Sequence, residues 1–314
     1  MDLILNVTFP VFGLILCGWL AARLGVLGQQ STEALNGFVY YFALPALLFI
    51  FVARAPVERI FYAPFLAAFG GGYAITFGLA WLLFRRLYPE RLAVRAMRAS
   101  NTTFANTGYM GIPLASTAFG EAAVLPAIMA TVFVSVVMIN VAIALIELDV
   151  AREAGGTRIL RDVGLSLAKN PFVITVLLAV VFPLAGWTVP TPVAKFCDLL
   201  GSAAGPCALF ALGMFVATQS LRVGLGEAGL ITAIKLLLQP FVTWLLVSYV
   251  FELEPLWALT TVLVSALPMG ATCFVLAQRY NVLVNRTSSA TVLSTALSVI
   301  TVTLLLAWLG PLPG

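Results

Sequence analysis

"NTGYMGIPLA", residues 106–115, lies inside a long apolar run and carries the residues that a helix interior resists. Asn106 and Thr107 bring polar side chains, while Gly108, Gly111 and Pro113 weaken or interrupt helical backbone. In hydrocarbon no water replaces a lost backbone hydrogen bond. Irregular backbone is therefore tolerated at membrane depth only where it is buried in protein or lines a polar cavity. The stretch reads as a built-in break in a membrane-crossing helix.

The membrane setting follows from the whole chain. Of 314 residues, 61% are hydrophobic and only 10% charged, a composition foreign to soluble domains. A span needs about 20 apolar residues. Such windows fall at 3–22, 35–53, 62–84, 100–118, 124–146, 170–187, 196–218, 228–251, 256–278 and 288–309, here helices 1 to 10. The expected fold is an all-α membrane protein of ten transmembrane helices, with little chain left for a soluble domain. Asp2 precedes the first window and no basic leader is evident, so helix 1 is expected to stay as a span rather than serve as a removable signal.

Basic residues stay on the cytoplasmic side. With both termini outside, thirteen Lys and Arg fall in inner loops, against Arg54, Arg59 and Lys195 in outer ones. The net charge of +4 thus reflects topology, and no nucleic-acid partner is expected. The chain has no histidine, which removes His-based catalysis and most zinc sites. Cys17, Cys197, Cys207 and Cys273 lack metal spacing and read as small packing residues. No cofactor or metal is expected.

The charged segment 147–169 divides the chain into 1–146 and 170–314, five helices each. Local echoes link the halves in order. "LPALLF" (44–49) faces "GPCALF" (205–210), "FGLAWLL" (77–83) faces "FVTWLL" (241–246), and Pro113 in helix 4 faces Pro268 in helix 9. Five is odd, so the second half enters from the opposite side and the repeat is inverted. Inverted repeats with matching broken helices point to a secondary transporter whose site lies between the breaks. Within the linker, Ile159, Leu160, Val163 and Leu167 share one side of a possible helix, leaving an interfacial helix and a solvated loop both open.

A break near Gly108–Pro113 would expose amides at the start of the second half-helix, an arrangement suited to an anion. Asn106 adds two donors and an acceptor at that point. In helix 9, "ALPMGATC" (266–273) repeats the offer, with Gly270 keeping the backbone approachable and Thr272 adding a hydroxyl. Lys235 is the clearest ionisable residue inside a span: it either snorkels or serves as a buried counter-charge or proton carrier. No carboxylate sits at the centre of any span, which argues against an intramembrane aspartyl protease or prenyltransferase, and no enzyme activity is expected. A channel or a sensor is a weaker alternative, because no repeated filter sequence occurs.

These residues resemble the auxin efflux carrier family, which includes plant auxin carriers and bacterial members such as malonate permeases. "NTGYMGIPLASTAFG" (106–120) is similar to its helix 4 crossover and "ALPMGATCFVLAQRYNV" (266–282) to its helix 9 crossover, and "ALPALLF" and "AIKLLLQP" also match. The resemblance implies a scaffold and a transport domain, elevator-type motion, a homodimer and, for a bacterial member, the inner membrane. It implies that Asn106 holds a substrate carboxylate with Thr107 and Gly108 beside it, that Gly270 and Ala271 allow close approach, and that Leu44 and Pro45 form an apolar wall. It adds Asn170, from the Asn170-Pro171 pair, a match that a helix N-cap explains equally well. Gly111, Pro113 and Pro268 become crossover hinges. Two departures stand out: plant carriers have Pro where this chain has Ala105, and "APFLAAFGGGYAITF" in helix 3 lacks the Asp that pairs their helix 8 lysine. The expected function is transport of a small organic anion, a carboxylate or auxin-like acid. A sodium-coupled symporter of the bile-acid type is the alternative.

Overall fold

In the computed structural model, which describes residues 2–154, 159–219 and 224–310, the chain is built from helices. Among the described residues there is no strand, only an isolated antiparallel bridge between Ala105 and Met269. Seven helices there are long and apolar enough to cross a membrane: Asn6–Arg23, Gln29–Arg54, Val57–Leu87, Glu121–Asp149, Thr191–Thr218, Leu225–Tyr249 and Val284–Leu309. Pro171–Ala185 is a shorter apolar helix. Two apolar runs are interrupted: Leu92–Asn101 stops before Thr107–Gly111 and Ile112–Phe119, and Pro255–Ser265 stops before Thr272–Tyr280. Of the two readings of the polar linker, the structure takes the helical one over Ile159–Ala168, whereas 155–158 lie outside the described residues.

Among the described residues four helical segments widen to π geometry, Val39–Ala43, Thr107–Gly111, Val134–Met138 and Ile234–Leu238. Three of them end two residues before a proline: Pro45, Pro113 and Pro240. Proline has no N–H to donate, and its ring presses on the carbonyl four residues back. One extra residue in the preceding turn relieves both problems without breaking the helix. In the fourth segment Asn140 holds the corresponding position, and its Nδ2 donates to the carbonyls of Ser135 at 3.3 Å and Val136 at 2.9 Å.

The break in the first run therefore lies earlier than its glycines and proline predict. Gly111 and Pro113 are in helical backbone, because the π turn absorbs the proline. The chain leaves the helix at Thr102 and Thr103, whose hydroxyls bond back to the Ala99 carbonyl at 2.7 and 3.2 Å and compete with the helical ladder. In the second run Pro268 does sit in the break. It disfavours helical geometry at Leu267, just after the helix ends at Ser265.

The helices pack in two groups. In one, Asp2–Arg23 lies against Ala204–Thr218 with the backbones touching. A Cβ on Gly18 would overlap the Phe210 carbonyl, and one on Gly213 the Ile15 carbonyl, the close approach that small residues permit in membranes. Leu44–Arg54 joins this group by packing on Pro171–Ala185, with the Phe49 and Phe182 rings 5.5 Å apart. In the other group Ala63–Leu87 packs on Gln239–Tyr249, Leu92–Asn101 on Ile139–Ala154, and Leu225–Ala233 on Val284–Leu309. Buried aromatic contacts tie this second group together, Phe65 to Trp257 at 5.3 Å and Phe69 to Phe133 at 5.5 Å.

Charged groups meet in separate clusters. Arg54 pairs with Asp198 at 3.1 Å and Arg59 with Glu254 at 2.5 Å. Elsewhere the fully buried Arg98 pairs with Glu227 at 2.5 Å and Glu90 at 2.7 Å, and lies over the Tyr88 ring. Arg286 completes that cluster, 3.2 Å from Glu227.

Candidate functional site: a cavity at the crossing of two broken helices

The two breaks cross each other and are joined through their backbones. The Asn106 N–H donates to the Pro268 carbonyl and the Gly270 N–H to the Phe104 carbonyl, each at 2.9 Å. Gly270 makes this approach possible. A Cβ there would meet the Phe104 ring at 3.2 Å and both the Ala105 carbonyl oxygen and the Asn106 Cα at 3.5 Å.

Asn106 is the pivot of the first break. Its φ of −78° and ψ of 61° form an inverse γ-turn, closed by the Thr107 N–H on the Ala105 carbonyl at 2.9 Å. Its own carbonyl accepts the N–H groups of Met110 and Gly111 at 3.2 and 3.1 Å. The residue is 6% exposed, and its Nδ2 has no partner among the described residues. A buried amide donor left open is costly unless something else fills it.

The C-terminal ends of the interrupted helices are satisfied from a single turn of a neighbour. Gln239 Nε2 donates to the Thr103 carbonyl at 3.0 Å, at the end of Leu92–Asn101. Lys235 Nζ donates to the Ser265 carbonyl at 2.8 Å, at the end of Pro255–Ser265. Both donors are buried, Lys235 completely, so its amine points into the protein and does not snorkel. Cations and donors belong at such negative helix ends. The Met269 N–H is held by Ser294 Oγ at 3.2 Å, and Asn101 Nδ2 reaches Thr287 Oγ1 at 2.9 Å.

The N-terminal ends, by contrast, are left open. Among the described residues the amides of Gly108 and Tyr109, and those of Ala271 and Thr272, find no backbone acceptor. All four residues line a cavity of about 490 Å³, a volume typical of small-molecule sites. Asn106 and Thr107 line it as well. Tyr40, Tyr41, Phe172 and Phe215 supply aromatic walls, and Thr131 and Ser135 bring hydroxyls, of which that of Thr131 donates to the Ala127 carbonyl. Three of the four π turns contribute to this lining. No Lys, Arg, Asp, Glu or Cys is among the lining residues. Two positive helix ends, a free amide and hydroxyls on an uncharged wall are chemically suited to a small anion with an apolar portion.

Five residues expected at the site, Asn106, Thr107, Gly108, Gly270 and Ala271, line this cavity together. Three do not. Leu44 is buried behind Gly108, where a Cβ on that glycine would stand 3.8 Å from the leucine. Pro45 lies in the helix beyond its π turn. Asn170 is an N-cap whose Oδ1 accepts from the Phe172 amide at 2.9 Å and the Val173 amide at 3.4 Å; it positions Phe172 without reaching the cavity. Sequence reasoning missed Tyr40, Tyr41, Thr131 and Ser135. The available signals were a proline five residues after Tyr40 and an asparagine five residues after Ser135.

Comparison with known proteins places the chain among membrane transporters. The membrane transport protein family matches residues 3–306. A protein of Rhizobium meliloti (strain 1021) with the provisional name malonate transporter is 34% identical over 308 residues, covering 96% of this chain and 95% of the relative. The transporter YfdV of Escherichia coli (strain K12) is 28% identical over 280 residues, covering 87% of each chain. Auxin efflux carrier component 8 of Arabidopsis thaliana is 23% identical over 330 residues, covering 88% of this chain and 89% of the relative. With its crossed breaks, its membrane-spanning helices and these relatives, the chain belongs to the auxin efflux carrier family and is an integral membrane transporter.

Proposed function

We propose that this transporter carries a small organic anion, a short mono- or dicarboxylate or an auxin-like acid, through the cavity at the helix crossing. The observation that carries the reading is the open Asn106 Nδ2 beside two helix N-termini on an uncharged wall. A carboxylate is the group that accepts from such donors. Resident cationic side chains, which would hold it too tightly for release, are absent from the lining.

In this reading the seven long helices, Pro171–Ala185 and the two broken runs make ten spans in two inverted repeats of five. The ion pairs support the grouping of chain segments by side, since Arg54 meets Asp198 and Arg59 meets Glu254, all at or near helix ends expected outside, while the choice of that side as the outer one rests on the distribution of Lys and Arg. Glu90, Arg98, Glu227 and Arg286, on the expected inner side, likewise meet one another. The cavity lies between the two packing groups. Tyr40, Phe172 and Phe215 come from one, and Asn106, Ser135 and Gly270 from the other. A lining drawn from both groups supports elevator-type alternating access, in which one group slides past the other and the anion site travels with the broken helices while the aromatic wall stays. We assign the first group to a homodimeric scaffold in the bacterial cell membrane.

Uptake of radiolabelled malonate and of a panel of mono- and dicarboxylates into proteoliposomes tests the reading. Loss of a hydrogen bond to a charged ligand is worth about 1.5–3 kcal/mol, so Asn106→Ala is expected to raise KM by roughly ten- to hundredfold. Unchanged flux from a correctly folded Asn106→Ala protein would sink it.

A further inference from the structure

Of the four π turns, the one at Val134–Met138 is built differently. The other three precede prolines. Here Asn140 does the work with its side chain. It is 7% exposed, and its one Nδ2 reaches both the Ser135 and Val136 carbonyls. Carbonyls freed by a widened turn in an apolar helix need such a donor, or the turn reverts to i→i+4 bonding. Asn140 leaves its own Oδ1 without a partner in doing so. A buried amide that gives up half its hydrogen bonding to hold a turn open points to a function for that turn.

The function lies in what the turn presents. Thr131, Val134, Ser135 and Ile139 all line the anion cavity. Thr131 is close to the anion end, where its methyl would stand 3.4 Å from a Cβ on Gly108. The Thr131 hydroxyl is committed to the Ala127 carbonyl at 2.9 Å, so it has no proton to spare for a ligand. Ser135 follows one turn later, about 6 Å further along the helix axis, and is the free hydroxyl on this wall. Collapse of the π turn to α geometry would rotate the residues on one side of it by about 100° relative to the other. The stretch from Thr131 to Ile139 could then no longer present one face to the cavity.

We propose that Asn140 is a positioning residue that holds this π turn, and that the turn presents the Ser135 hydroxyl as a second polar contact for the transported acid. The proposal rests on the cavity being the anion site. Its geometric half does not depend on which acid is carried. Ser135 donates to the far polar group of the ligand, the second carboxylate in the case of a short dicarboxylate, while the first is held by Asn106 and the helix ends.

The test uses the full chain in proteoliposomes, with the four native cysteines replaced and Ser135→Cys introduced as a target for a small thiol reagent. Three backgrounds are compared: Asn140 retained, Asn140→Leu and Asn140→Pro. Leucine lets the helix close, whereas proline enforces the same turn that it enforces at the other three sites. Labelling is expected to fall at least about tenfold in Asn140→Leu and to be rescued in Asn140→Pro, following the solvent exposure of the turn. Equal labelling in all three backgrounds overturns the proposal. With Ser135 restored, KM for malonate is expected to rise about tenfold in Ser135→Ala and in Asn140→Leu, the loss of one charge-assisted hydrogen bond, and to recover in Asn140→Pro. If Asn106→Ala impairs uptake while Ser135→Ala does not, the second contact is wrong and the anion site stands. If Asn106→Ala leaves uptake unchanged, the anion site itself is wrong, and labelling alone then decides whether Asn140 holds the turn.

Discussion

Replacement of Gly270 probes the crossing most directly, because the same residue carries one of its two backbone hydrogen bonds and makes the approach of the other chain possible. With Gly270→Ala the new methyl meets only the edge of the Phe104 ring at 3.2 Å; its other neighbours stand at an ordinary 3.5 Å. A shift of a few tenths of an ångström in that ring absorbs it, at about 1 kcal/mol or less, the low end of overpacking costs. Gly270→Val adds two more carbons beside the Ala105 carbonyl and the Asn106 backbone, which cannot yield without parting the two bridged segments. Parting them breaks the Asn106 to Pro268 and Gly270 to Phe104 bonds. Each leaves a donor and an acceptor unpaired in a dry interior, at roughly 1–3 kcal/mol per group, so a loss of about 4–12 kcal/mol is expected if none of the four groups finds another partner. The assay is paired: thermal unfolding of the detergent-purified protein and initial uptake rate in proteoliposomes. Gly270→Ala should transport with a modest change, and Gly270→Val should melt several degrees lower and lose transport. If Gly270→Val matches the wild type in both, the backbone bridge does not organise the site.

Three further outcomes follow from the same packing. Arg98→Met leaves Glu227 buried with only Arg286 for company, and removal of one member of a buried pair costs about 3–5 kcal/mol; the Arg98→Met, Glu227→Leu double variant should regain much of that in thermal unfolding, and equal losses in the two would refute coupling. Gln239→Leu strips the donor from the Thr103 carbonyl and should cost about 1–3 kcal/mol, read as a lower melting temperature with reduced uptake. Gly213→Val forces a side chain into the Ile15 carbonyl and should prevent the first two packed helices from closing, seen as loss of monodisperse protein on size exclusion; a normal elution profile would contradict the backbone contact.

Much of the fold was legible in the sequence because the bilayer imposes it. Length and apolarity alone located the seven long apolar helices, and Pro268 marked its break because the residue before proline is disfavoured in a helix. The other break was misplaced by several residues. Gly108, Gly111 and Pro113 look like helix breakers, yet a π turn absorbs Pro113, and the helix yields instead at Thr102 and Thr103. That outcome depends on whether a partner waits for the freed carbonyls, and the partner, Gln239, is 136 residues away.

The candidate site divides in the same manner. Asn106, Thr107, Gly108, Gly270 and Ala271 were named from local chemistry, and they do line one cavity, since polar and glycine residues at membrane depth have few other uses. Asn170 had the same local appearance and proved to be a helix cap, because the carbonyl oxygen of its side chain finds amides two and three residues on. Lys235 could be recognised as unusual, but not as the cap of Ser265. By itself the sequence determined the membrane setting, the number of apolar windows and, in the second run, the place where the helix breaks, since these depend on composition and spacing along the chain. Only the tertiary structure decided that the two breaks bond to each other, that their C-terminal ends are capped while their N-terminal ends stay open, and that three π turns face the opening. Hydrogen-bond satisfaction in a dry interior is settled between segments, and no segment carries the answer alone.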